Sequence, residues 1–454
     1  MRNVLRRAAP ASMLRAAVRQ AAVRSVAVLC ATAAAAAASL ATGEPARARE
    51  PRPGTYLYVE RGDPSRIEVL DRTTGEAGAY TAIGGGYPPP AGLRLAADGR
   101  HGYLASDKYR RVVEYDTAAS RLGRTFDSGG RLGIDAVSSD GSRVYLHGYS
   151  PGAIEVLDTV GGAKLPPIDI GRPVVTAALS PDDALLYAIG REDGGAVHLV
   201  DAASGTLRAT APVEAPYQVV PGPGGRLAYV TTYRQDGGGK QLPSPVEVID
   251  AASGAPVRTI ELPGVARKFA ISPDGDTGYA QLWDATGTQV IDLATGAVRR
   301  TLTGAVQWQS LDPDGSALYG YRGTDLVALD TATGAVRVLV ADAPRGAVQA
   351  ARTAPTPGPV RLAAESAVLV RKPLGVSGLA AALGDGAARS RTIIFRTVSG
   401  TELCRAVTDF TGRAACDALA PPGTTRKELL RGYEAVFKGD LQYDPARAHG
   451  AIAE

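Results

Sequence analysis

Seven aspartates recur through the middle of the chain at Asp71, Asp116, Asp158, Asp201, Asp250, Asp292 and Asp330, spaced 45, 42, 43, 49, 42 and 38 residues apart. A period of that length marks a repeated supersecondary unit, which limits the chain to solenoids, arrays and closed rings. Each Asp closes an apolar run, and most are followed by a short phrase ending in glycine, as in Ile249-Asp250 to Gly254 and Ile291-Asp292 to Gly296. An Asp at the head of a turn accepts backbone N–H groups two residues on, and glycine supplies the positive φ of a tight connection. The carboxylates are therefore turn residues. At one per repeat they are too dispersed to share a metal ion.

A tyrosine strand precedes each of these positions, carrying Tyr58, Tyr103, Tyr145, Tyr187, Tyr229, Tyr279 or Tyr319. Before most of them stands a second turn, such as Asp98-Gly99, Asp140-Gly141, Asp274-Gly275 or Asp314-Gly315, itself preceded by a short apolar run. One unit thus reads as four strands, and four-stranded units repeated around an axis predict an all-β fold, a β-propeller. The first unit lacks an apolar strand ahead of Tyr58, whereas the chain after Asp330 still offers residues 336–340 and 347–351. The latter run is expected to complete the first unit beside residues 55–59, which removes the open edges and closes a ring of seven blades.

Three stretches carry a family resemblance: Ser272-Pro273-Asp274-Gly275, Tyr229-Val230-Thr231-Thr232, and Val248-Ile249-Asp250 followed by Gly254. Over residues 54–353 the chain resembles the YVTN-type β-propeller repeat of extracellular, surface-layer and lactonase-like proteins. The tetrapeptide is degraded elsewhere, as in Tyr187-Ala188-Ile189-Gly190 and Tyr319-Gly320-Tyr321-Arg322. The resemblance implies blade geometry, and a shared ligand site does not follow from it.

The N-terminus reads as an export signal. Six arginines between Arg2 and Arg24 precede an Ala-rich apolar stretch at 26–41 and then Ala46-Arg47-Ala48, so residues 1–48 are expected to be a secretory signal peptide. Without them the balance is 43 basic against 45 acidic residues, in place of the formal +4 of the whole sequence. With no basic stripe left, nucleic acid is not an expected partner, and no membrane span is expected in the mature chain. The expected domains are a propeller over 49–353, a Pro-rich linker over 354–359 and an antiparallel sandwich over 360–454, with strands at 361–370, 378–383, 392–397, 404–408, 413–419 and 433–438. In that last segment Phe395, Cys404, Thr408-Asp409, Gly412, Cys416, Gly432-Tyr433, Gly439-Asp440 and Tyr443 resemble the bacterial immunoglobulin-like repeats of secreted and surface proteins, which implies an immunoglobulin-like β-sandwich acting as a spacer or adhesion module. The charged insertion at 425–430 departs from that pattern. Cys404 and Cys416, the cysteines left after the signal is removed, are expected to form a disulfide across adjacent strands of a hairpin around Phe410.

Catalytic motifs are not apparent. The four histidines have no ligand spacing to one another or to cysteine, no nucleophile elbow or phosphate loop is present, and no catalytic residue, metal or cofactor is expected. Function is expected on the face that gathers the irregular loops, where the fifth repeat separates Tyr229 from Asp250 by 21 residues against 13 in most others. Candidate binding residues there are Tyr149, Arg191, Tyr233, Arg234, Trp283 and Trp308. The expected role is that of a secreted, free or wall-associated binding or scaffold protein that takes an extracellular protein or a cell-wall glycan. A lactonase- or lyase-like enzyme at the mouth of the central channel is the alternative, and it would draw on His147, Arg191, Tyr217, Arg234 and Trp308.

Overall fold

The computed structural model describes residues 52–454 apart from 63–64, 84–91, 107–109, 131, 149–151, 191–193, 284–286, 356, 358, 385–390, 410 and 441. The expected export signal lies outside the described residues. Among the described residues the fold is all-β save for one short helix. Seven four-stranded antiparallel sheets follow one another along the chain up to Ala354, and two further sheets are built from the residues after it.

The turn chemistry read from the sequence is what joins the strands. Asp250 Oδ1 accepts from the N–H groups of Ala252 at 3.1 Å and Ser253 at 2.9 Å, and Gly254 at φ 71° returns an N–H to the Asp250 carbonyl at 2.9 Å. Asp71, Asp201, Asp292 and Asp330 repeat that geometry. At Asp116 the left-handed position is held by Ser120 at φ 49°. The second turn of the repeat uses serine as well: Ser272 Oγ donates to Asp274 and accepts from Thr277 N at 2.9 Å. The seven repeat tyrosines are all buried.

Packing between sheets makes the ring. Seven separate apolar clusters lie between successive sheets, and one of them joins Leu57, Val59, Leu70 and Val348 of the first sheet to Tyr319, Tyr321, Leu326 and Leu339 of the seventh. The inner strand missing from the first repeat is supplied by Gly346–Ala354, which pairs antiparallel with Arg52–Gly62 through Tyr56↔Ala351, Tyr58↔Gln349 and Glu60↔Ala347. This is the arrangement of a β-propeller, with the inner strands Gly346–Ala354, Arg94–Leu95, Leu132–Val137, Thr176–Leu179, Pro216–Pro221, Ala266–Ile271 and Gln307–Leu311 around the axis. A buried arginine pins the closure. Arg61 lies 2.9 Å from Glu68 and donates to Tyr321 Oη at 3.1 Å and to the Pro344 carbonyl at 2.5 Å.

The residues after the ring form two sheets around one core that includes Leu379, Leu383, Ile393, Phe395, Leu429, Tyr433 and Phe437. Several sequence expectations change here. The run expected as one strand over 361–370 is two, Leu362–Ala364 and Ala367–Arg371, with Glu365 in the break, where its carbonyl accepts from the buried Tyr433 hydroxyl at 2.6 Å. Ala446–Gly450 and Ile452–Ala453 are strands that the sequence reading lacked. The charged insertion is the helix Arg426–Leu429, whose N-cap Thr425 accepts from Glu428 N, the Thr-x-x-Glu start signal of a helix.

Cys404 and Cys416 are bonded, but across the sheets and not within a hairpin. Cys404 sits opposite Phe395 in one sheet and Cys416 opposite Leu379 in the other. This segment also touches the ring. Gln442, 5 % exposed, donates to the Ser120 carbonyl at 3.2 Å, and its Oε1 accepts from Arg391 at 2.7 Å and from Tyr80 N at 3.5 Å.

Two outcomes follow from these contacts. Arg61→Ala removes the buried guanidinium that joins Glu68, the Tyr321 hydroxyl and the Pro344 carbonyl at the closure while Glu68 keeps its pair with Arg66, and it is expected to cost about 2 kcal/mol, read as a lower urea midpoint at unchanged slope. Reduction of the Cys404–Cys416 bond removes a cross-link of separation 12, worth about 3 kcal/mol in the unfolded-chain view, and should lower the melting of the C-terminal sheets before that of the ring, as followed by hydrogen exchange.

Candidate functional site

Each inner strand presents a polar side chain toward the ring axis amid apolar neighbours. Two cavities occupy this centre, one of about 690 Å³ and one of about 340 Å³, and Arg94 and Gln218 border both, which makes them parts of one channel. Side chains staple the inner strands to one another around it. Phe269 N donates to Gln218 Oε1 at 3.1 Å, Val348 N to Gln309 Oε1 at 3.0 Å, Leu95 N to Gln349 Oε1 at 3.3 Å and Ala177 N to Asp135 Oδ2 at 3.0 Å. Each staple satisfies a backbone donor that faces the next sheet, where no ladder partner exists.

Asp135 also accepts from the Thr176 hydroxyl at 2.8 Å and lies 2.7 Å from Nδ1 of His147, and all three residues line the larger cavity. The Asp135 carboxylate beside Nδ1 raises the His147 pKa above its ordinary value; burial and the charge of Arg94 act against it and do not prevail. A histidine oriented by a carboxylate in a water-accessible channel is equipped to move a proton. Among the described residues no group of three or more His, Cys, Asp or Glu side chains is placed to hold a metal ion.

A second feature sits where the irregular loops gather. Tyr233 packs between Tyr217, at 6.1 Å between ring centroids, and Trp283, at 5.8 Å, and the Arg267 guanidinium lies 5.5 Å from the centre of the Trp283 ring. Trp283 remains 42 % exposed. Arg234 pairs with Glu214 at 2.9 Å. The long loop behind this patch is folded. Asp236 Oδ1 accepts from Gly238 N and Lys240 N, both at 2.9 Å, and Gln235 and Gln241 form a bridge while donating to Tyr233 Oη at 2.9 and 3.2 Å. Tyr233 is thereby fixed as an anchor. Tyr217 belongs to both features, since it packs on Tyr233 and lines the larger cavity, so the aromatic patch borders the channel.

The structure therefore brings Tyr233, Arg234, Trp283 and Tyr217 together. Tyr149 and Arg191 lie outside the described residues. Trp308 is a correction: it is 3 % exposed, its indole N–H donates to Thr288 Oγ1 at 3.1 Å, and it packs with Tyr279, Val290 and Leu318 between the sixth and seventh sheets. On an inner strand, a side chain turned toward the adjacent sheet is core, whatever its size. Arg267, Asp135, Arg94 and Lys268 escaped the sequence reading. The usable signal was a polar residue inside each short apolar inner run.

No protein-family model matches the chain, and no curated protein matches its sequence. Among solved structures it is similar to hydrazine synthase of Kuenenia stuttgartiensis, with 18 % identity and a TM-score of 0.46 over 66 % of this chain and 98 % of that one. It is similar also to the dihydro-heme d1 dehydrogenase NirN in complex with DHE, with 19 % identity and a TM-score of 0.48 over 68 % and 78 %. A third likeness is to the β-propeller domain of Cps50 (Swd1) from Myceliophteria thermophila, with 15 % identity and a TM-score of 0.45 over 57 % and 89 %. Likeness at this level assigns no activity.

The Asp135–His147 pair makes a testable prediction with a definite sign. Because the folded state raises the His147 pKa, the pair stabilises the fold fully below the unfolded value of about 6.5 and loses that contribution as pH rises through the folded midpoint. Asp135→Asn should bring the His147 midpoint, followed by proton NMR of the ring, down to or below the ordinary value and flatten this part of the stability profile. An unchanged midpoint would show that another charge sets it.

Proposed function

We propose that this protein is an exported, non-enzymatic binding protein, a seven-bladed propeller of the YVTN type followed by an immunoglobulin-like domain, and that its irregular face recognises an extracellular protein or a cell-wall glycan. The observation that carries this reading is the patch of Tyr217, Tyr233, Trp283 and Arg267, in which the aromatic rings touch and the loop behind them is held by its own hydrogen bonds. Tryptophan, tyrosine and arginine supply most binding hot spots, and anchors that are rigid before binding lose less entropy on it. Export is supported by the arginine-rich, Ala-rich N-terminus and by the Cys404–Cys416 bond. The contact of Gln442 with Ser120 and Tyr80 supports a role for the C-terminal domain in holding the ring at a set orientation.

A second reading is kept because one observation favours it. The Asp135–His147 pair lines a 690 Å³ cavity of the size that small-molecule sites occupy, which suits a lactonase- or lyase-like enzyme working in the channel.

The two readings separate in one experiment. Binding to cell-wall glycan preparations and to surface-protein extracts is measured by biolayer interferometry for the wild type and for Trp283→Ala, Tyr233→Ala and His147→Ala, with circular dichroism as the folding control. On the binding reading, Trp283→Ala and Tyr233→Ala each weaken capture by about tenfold or more and His147→Ala leaves it intact. Turnover of lactone substrates that His147→Ala abolishes would favour the enzyme.

A further inference from the structure

The smaller cavity is bordered by two cations and three glutamines, set among Leu93, Ala347 and Val348. The Oε1 atoms of Gln218, Gln309 and Gln349 each accept from an N–H group of an adjacent inner strand, which turns the oxygen to the wall and leaves the NH2 as the donor of each amide. Gln309 directs one of its N–H bonds to the Gly346 carbonyl at 3.0 Å. The same 340 Å³ cavity is bordered by Arg94 and Lys268 and by no described carboxylate.

Neither cation has an ion-pair partner among the described residues. Arg94 donates to the Leu93 carbonyl at 3.4 Å and Lys268 to the Gln309 carbonyl at 3.3 Å. The acids within range are committed elsewhere: Asp135 to Thr176, Ala177 and His147, and Glu60 to the N–H groups of Gly92 and Leu93 at 3.1 and 3.2 Å. Arg94 is exposed to solvent and borders both cavities, and Lys268 is half-buried. Two like charges in one enclosure are disfavoured by burial and by each other. Burial first, then the charges of Arg94 and Arg267, bring the Lys268 ammonium down to about 8.

We propose that this part of the channel binds a small multivalent oxyanion, a phosphate- or carboxylate-bearing ligand, held between the Arg94 guanidinium and the Lys268 ammonium and oriented by the amide N–H groups of Gln218 and Gln349. The guanidinium fork matches the paired oxygens of such groups, and lysine adds a point charge from another sheet. The cavity volume lies at the small end of ligand sites, which limits the occupant to a compact molecule. Arg94 comes from the second sheet, Lys268 from the sixth and Gln349 from the first, so a bound anion would also tie the ring across its axis. The site is independent of whichever partner the aromatic face takes.

Sulfate is the first probe, because its charge is constant across the range in which a lysine titrates. The purified protein is titrated with sodium sulfate by calorimetry and by thermal melting, with sodium chloride at matched ionic strength as control. One sulfate per chain and a raised melting temperature are expected. Arg94→Gln and Lys268→Gln should each weaken binding at least tenfold and the double variant abolish it, and all three should melt no lower than the wild type without sulfate, since each relieves repulsion. Arg94 and Tyr58 in the same cavity, Arg267, the Glu60 and Asp135 carboxylates whose charges reach Arg94, and His147 beside Asp135 are the other ionisable groups near it; wild-type affinity should fall as pH rises through about 8 and Lys268→Gln should lose that dependence. Inorganic phosphate and malonate run in parallel distinguish the two ligand types. No stabilisation beyond chloride by any of the three anions, or variants that bind as the wild type does, would overturn the proposal.

Discussion

The ring rests on apolar packing between sheets whose strands are joined by backbone ladders only within each sheet. A four-stranded sheet has two apolar faces and cannot bury either alone; set face to face around an axis, each covers its neighbours. The seven seams are distinct clusters, and each mixes residues of two successive sheets. Burial of apolar area at about 25 cal/mol per Å² is non-directional, so it brings the sheets together without setting their register. Register comes from polar details: the Asp–Gly turns within a sheet, and the side-chain staples of Gln218, Gln309, Gln349 and Asp135 between sheets.

These staples explain why the channel has a chemical character at all. A wall of inner strands has backbone donors that the ladder does not use, and side chains that accept from them are drawn to the wall by their oxygens. Beside Gln218, Gln309 and Gln349 what is left facing the axis is then biased toward N–H groups, whereas the Asp135 staple leaves a carboxylate there. The outer face of the ring is under no such constraint, and its chemistry is set by loops, of which the one at 231–245 is held by Asp236 and by the bonds to Tyr233.

The repeat was legible because its signals are local. Asp250 with Gly254, or Ser272 with Asp274 and Gly275, encode their turns within a few residues, and the buried tyrosines follow from strand alternation. The pairing of Gly346–Ala354 with the first sheet was legible by counting strands. What failed was anything that depends on which sheet a side chain faces. Trp308 reads as an exposed anchor but is turned into a seam, and Cys404 and Cys416 read as hairpin partners but lie in different sheets. The same limit hid Arg94 and Lys268, which are more than 170 residues apart in sequence and meet only because the ring closes.

The closure sets the order in which the chain can become a protein. Tyr58 donates to the Thr353 carbonyl across 295 residues, so the first sheet keeps an open inner edge until the last strand of the ring has emerged. Contacts of such separation are slow to form, because the chain entropy of the loop is lost before the contact is gained. The ring is therefore completed only once Gly346–Ala354 has been made, and Arg52–Gly62, the first of its strands to emerge from synthesis, is the last to find its inner partner.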